Sequence, residues 1–136
     1  MQKENIVLIK SYDFALKIVK LYLYLRQEKK EFEISKQVLR SGTSIGSNAE
    51  EGNSAQIKKD VIAKFSVSLK ESKETHYWLR LLKDVRLVDP DLAIGLLNEC
   101  EELIRIITSI LKTSKENEKQ LFIIHSLNKD NKNICI

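Results

Sequence analysis

Apolar residues along this chain recur at intervals of three and four, the spacing that lines one face of an α-helix. Phe14, Ile18, Leu21 and Leu25 trace the first stripe, with Ser11 as its expected N-cap. The charged run from Arg26 to Glu33 then turns the chain. A second segment is expected from about Ile34 to Glu51. A third is expected from about Ala55 to Arg86, with Ile57, Val61, Phe65, Leu79 and Leu82 on one side. Asp89-Pro90-Asp91 reads as a helix start: an Asp cap, Pro in the first turn, and an acid near the positive end of the dipole. Leu92, Leu96, Cys100, Leu103, Ile107 and Ile110 trace the fourth helix, which is expected to fade at Ser114 and Lys115.

At the α-helical rise the third segment would be roughly 48 Å long. Helices of this size with short connections predict an all-α fold, an antiparallel up-down-up-down four-helix bundle over residues 1–115. After Lys115 the pattern breaks up into polar runs with Leu121-Phe122-Ile123-Ile124 between them, and residues 116–136 are expected to form a flexible tail. The scarcity of Pro and Gly fits long uninterrupted helices.

The second segment is an unusual helix. Its Gly42 and Gly46 each cost about 1 kcal/mol relative to Ala, and the Ser, Thr and Asn around them add several tenths apiece. Even so, Ile34, Val38, Gly42, Ile45 and Ala49 keep an apolar or small stripe at helical spacing. Gln37, Ser41, Ser44, Asn48 and Gly52 form a second stripe, small and polar. In the third segment Ser68, Ser72 and Thr75 interrupt the core stripe. A close-packed polar seam of Arg40, Ser41, Gly42, Ser44 and Asn48 against Ser68 and Ser72 would account for both oddities. Gly42-Thr-Ser-Ile-Gly46 is no phosphate loop, because it lacks the spacing and the Lys of that motif and follows no strand.

The run Arg40-Ser-Gly-Thr-Ser-Ile-Gly-Ser-Asn48, then Glu51-Gly52, Lys58-Lys59-Asp60, Leu69-Lys-Glu71 and Tyr77-Trp78-Leu79-Arg-Leu-Leu82, resembles a known family in order and spacing. That family is the four-helix bundle proteins of the 23S rRNA intervening sequence, also called S23 ribosomal protein-like. The opening helix, Ser11 to Tyr22, is similar as well, and the likeness spans about residues 5–115. Glu50 departs from the small residue commoner at that place. The resemblance implies a bundle that assembles into a ring-like homo-oligomer, commonly a pentamer. It also implies a relation to accessory proteins of diversity-generating retroelements, which bind a reverse transcriptase and nucleic acid through a basic surface.

Apolar strips outside the core stripes point the same way. Leu16, Val19 and Leu23 in the first helix, and Ile62, Leu69, Trp78, Leu81 and Val85 in the third, are candidate subunit contacts. A net charge of +4 and a pI near 9.0 permit contact with nucleic acid without demanding it. The third helix segregates its charges: Lys59, Lys70, Lys73 and Arg80 share a side with Tyr77, away from Asp60, Glu71 and Glu74. An ordinary solvated face is the simpler reading. Repeated around an oligomer, the same face becomes a basic band for phosphates with an aromatic ring for stacking.

Chemistry for an enzyme is missing from the pattern. His76 and His125 have no metal-ligand spacing, and no nucleophile–base pair, cofactor motif or metal motif is visible. Glu99, Glu101 and Glu102 are expected on a solvated face, and Cys100 and Cys135 as reduced thiols. No window is apolar and long enough to span a bilayer, and the start lacks a signal-peptide pattern, so a cytoplasmic protein is expected. Two functions remain: an oligomeric scaffold or accessory protein associated with RNA or DNA, or a protein–protein adaptor with no nucleic-acid role.

Overall fold

Most of each stripe read from the sequence is buried against another, although Ile57 and Leu92, expected in the third and fourth stripes, are exposed at the starts of their helices. Phe14, Ile18 and Leu25 close off from solvent completely, together with Val38, Ile45, Phe65, Leu82 and Ile107. A computed structural model describes residues 2–134, with side chains from Ile6 to Asn131. It contains four helices: α1 (Gln2–Gln27), α2 (Ile34–Ser54), α3 (Lys58–Asp84) and α4 (Pro90–Ile134). Each helix packs on its chain neighbours, and α4 returns to α1, with no diagonal pair in contact. The short connections make successive helices antiparallel, so the fold is an all-α up-down-up-down four-helix bundle.

The helix ends differ from the sequence expectation for identifiable reasons. Ser11 is not an N-cap. Helix α1 begins at Gln2, because residues 2–10 contain no breaker and Val7 extends the buried stripe by another two turns. Ser11 is buried in mid-helix and donates to the carbonyl of Leu8 at 3.3 Å. Helix α3 stops at Asp84, and Arg86, expected as its last residue, sits at φ 62 in the connection. A residue in that left-handed region ends a helix. The 27 residues of α3 correspond to about 40 Å rather than 48 Å.

The largest correction is at the C-terminus. Helix α4 does not stop at Lys115 but runs on as helix to Ile134, through the segment expected to be a tail. No Pro or Gly follows Gly95, and Lys, Glu, Gln and Leu, all good helix formers, dominate the next turns. What fades at Ser114 is burial, not the helix: among the described residues Ser114 is the last buried side chain.

Helix α2 starts on a cap that the sequence reading missed. The Glu31 carboxylate accepts backbone N–H groups from Glu33, Ile34 and Ser35 at 3.0, 2.9 and 2.7 Å. Burial alone would raise its pKa, but these donors outweigh it and hold the carboxyl below its ordinary value of 4.5. Its contribution to stability is therefore complete above the unfolded-state pKa and lost as pH falls through the lower folded value. Glu31→Ala should cost about 1–2 kcal/mol at neutral pH, in the range of a lost N-cap. The gap from wild type should shrink well below pH 4.5. Urea denaturation in neutral and acidic buffer measures it, and a gap that widens in acid would contradict the cap.

Candidate nucleic-acid interface

The polar seam between α2 and α3 is built from few residues. Ser68 Oγ donates to the Ile45 carbonyl at 2.7 Å, and the Thr75 and Ser41 hydroxyls bond each other at 2.9 Å, all buried. Other residues assigned to the seam lie elsewhere. A Cβ at Gly42 would fall 2.8 Å from Ile18 Cγ2, so this glycine faces α1 rather than α3. Ser44 and Asn48 are half-buried and bond only carbonyls of their own helix, Arg40 at 2.7 Å and Ser44 at 2.8 Å. Ser72 donates to Leu69 within α3, and its carbonyl accepts the Cys100 thiol from α4 at 3.1 Å. Desolvation pushes that thiol up to about 12, with the Glu101 charge adding, so Cys100 stays an inert core thiol. Cys135 lies outside the described residues.

Arg40 does something the wheel alone did not reveal. Its guanidinium reaches across from α2 to bond Glu71 at 3.2 Å and Glu74, the latter also accepting from Trp78 Nε1 at 3.2 Å. One cation thus binds two carboxylates one turn apart on α3. The acids nearest the basic side of α3 are thereby turned toward α2.

That leaves Lys59, Lys70, Lys73, Tyr77 and Arg80 on the outward face of α3, all exposed. None of the four cations forms an ion pair with the described residues. The Arg80 guanidinium lies 5.7 Å from the Tyr77 ring centre, and Tyr77 meets Trp78 edge-on at 5.2 Å. Lys70 to Arg80 spans about 15 Å along the helix, and Lys59 lies about 16 Å further toward its start. The face is therefore a compact patch with an outlier rather than an even stripe.

The expected subunit contacts divide. Leu16, Val19, Leu23 and Val85 are exposed, from 38% to 59%. Ile62, Leu69 and Trp78 instead pack against the core of their own chain, and Leu81 is half-buried. Nor are the α4 acids merely solvated. Glu99 pairs with Lys17 at 2.8 Å, Glu102 with Lys10 at 3.0 Å, and Glu101 with His76 at 3.0 Å, tying α4 to α1 and α3. The Glu99 hydrogen bond is the main reason the Lys17 pKa is raised, ahead of the opposing effect of burial. His125 is exposed on the far part of α4. Among the described residues no cluster of three His, Cys, Asp or Glu side chains could hold a metal, and no helix is long and apolar enough to cross a membrane.

These features define a class: an antiparallel helical bundle whose second helix is thinned by glycine and serine and anchored to the third by an Arg–carboxylate cluster. The chain belongs to the 23S rRNA-intervening sequence protein family, whose model matches residues 3–109. It is also similar to a protein of unknown function from the S23 ribosomal protein family of Bacteroides thetaiotaomicron VPI-5482, whose crystal structure is at 1.70 Å resolution. The two are 44% identical with a TM-score of 0.79, over 81% of this chain and 98% of the other. No curated protein matches the chain.

Proposed function

We propose that this protein is a non-enzymatic, homo-oligomeric scaffold or accessory protein that associates with RNA or DNA through the outward face of α3. One observation carries the reading: Arg40 holds Glu71 and Glu74, and Lys70, Lys73 and Arg80 form no ion pair among the described residues beside an exposed Tyr77. Exposed cations at this spacing suit a phosphate backbone, and an exposed aromatic ring suits stacking on a base. Phosphate contacts carry little sequence information, so the expected binding is tolerant of sequence. Self-association multiplies the patch, and the exposed Leu16, Val19, Leu23 and Val85 support it. The same exposed residues favour the second reading, an adaptor that binds only protein, whether a reverse transcriptase or another partner.

Changing Lys59, Lys70, Lys73 and Arg80 together to Gln should leave the fold intact, because exposed charges contribute little to stability. Affinity for labelled single-stranded RNA or DNA should fall at least about tenfold, and the slope of log K against log salt should flatten by up to about 3 per face. Titrations of both proteins at two salt concentrations read this out. Wild type that binds no better than the variant at low salt leaves the adaptor reading standing.

A further inference from the structure

Past Ser114, helix α4 leaves the bundle. Helix α3 begins at Lys58, and Lys58 already lies beside Asn117, Gln120, Leu121 and Ile124. Beyond that level no element of the chain accompanies α4. Every side chain from Lys115 to Asn131 is exposed apart from a half-buried Ser126. Yet this extension carries Leu121, Ile124 and Leu127 at helical spacing, 62%, 54% and 57% exposed. The positions that share their face, Asn117, Gln120, Asn128 and Asn131, are all uncharged. An unsupported helix of this length is marginal in water, so it calls for a partner.

A receptor for such a face lies at the other end of the same helix. The α1–α4 seam is the sparsest of the four in the bundle. Near the start of α4 it opens into a groove of about 480 Å³, lined by Leu21, Tyr24, Leu92, Gly95 and Leu96 together with the charged Lys17, Lys20, Asp91 and Glu99. Gly95 is exposed in the second turn of α4, and a Cβ built on it would meet nothing within 4 Å. Glycine there weakens the helix, and no contact within the chain requires it. A second helix crossing at that point would, since small residues let two helix backbones approach closely.

We infer that the α4 extension of one copy docks through Leu121, Ile124 and Leu127 into the α1–α4 groove of a second copy, crossing it at Gly95. The two halves of this contact cannot meet within one chain. Gly95 and Ile124 stand 29 positions apart on a single continuous helix, about 44 Å by its rise. Contact is therefore intermolecular: a reciprocal exchange about a two-fold axis closes it as a dimer, and any other rotation chains copies head-to-tail until it closes. The extension also lies beyond the 3–109 segment matched to the family, so this contact is an addition to the shared bundle. The inference rests on the self-association proposed above but not on nucleic-acid binding.

Two full-length variants separate the halves. Gly95→Leu fills the groove with a better helix former in open space, and Leu121→Glu, Ile124→Glu and Leu127→Glu together charge an exposed face. Light scattering after gel filtration at micromolar concentration should give a wild-type mass above 15.7 kDa and a lower mass for each variant, whatever contacts the exposed strip of α1 keeps. Mixing the variants should then raise the mass above that of either alone, because each supplies the half the other lacks. A monomeric wild type overturns the inference, as does a variant that assembles like wild type or a mixture no heavier than its components. Loss of RNA binding alone, with these masses unchanged, overturns only the nucleic-acid reading.

Discussion

Gly42→Leu is expected to lower stability by at least about 3 kcal/mol, at the upper end of what overpacking a core costs. In a helix, replacing Gly by a larger residue ordinarily gains close to 1 kcal/mol. Here the first added atom already lies 2.8 Å and 2.9 Å from the Cγ atoms of Ile18, and 3.3 Å from its Cβ. That neighbour is fully buried and branched next to its own backbone, so it has little freedom to withdraw. Helices α1 and α2 would have to part. The melting temperature should fall by roughly 10 °C for a chain of this size. Adding Ile18→Ala should recover much of the loss by vacating the space. Ser44→Leu offers the contrast: a half-buried position whose hydroxyl bonds only its own helix should cost about 1 kcal/mol or less. Equal melting temperatures for wild type and Gly42→Leu would show that α1 does not press on this glycine.

Phe65→Ala should cost about 3–5 kcal/mol, the usual range for emptying a fully buried aromatic position. The ring does more than fill volume, because it closes against the end of α2 at Gly52. A Cβ on Gly52 would lie 2.9 Å from both Cδ2 and Cε2 of Phe65. Gly52→Ala should therefore destabilise the wild-type protein. In the Phe65→Ala background its cost should shrink towards zero, since only Lys64 Cβ, at 3.2 Å, then stands close and Ala is the better helix former. Urea denaturation of the four proteins gives the interaction energy of this pair directly. Strict additivity would mean that the ring and the glycine do not touch in solution.

How much of this was legible beforehand depends on whether an interaction is set within one helix or between two. The run of α2 announced itself through its small residues, and the stripes of α1, α3 and α4 named the core, because apolar spacing along one helix is a property of that helix alone. The sequence also places Lys59, Lys70, Lys73, Tyr77 and Arg80 on one side of α3, for the same reason, and all five are exposed. Helix α4 was read too short because its periodicity weakens where nothing covers it, although the backbone meets no breaker there. The Glu31 cap escaped because the carboxylate reaches forward into α2 from the connection, outside the usual cap position.

A helical wheel says which residues share a face but not which neighbour that face meets. Hence Gly42 was paired with α3 when its contact is Ile18 of α1, and Ser72 with α2 when its carbonyl serves Cys100 of α4. Glu71 and Glu74 looked like ordinary surface acids until Arg40 crossed from α2 to hold both. Four amphipathic helices, their order and the class of fold follow from local propensity and spacing along the chain. The partners of Arg40, Gly42 and Ile18 arise in the folded bundle alone, because side chains distant in the chain acquire neighbours only when the helices choose their rotation about one another.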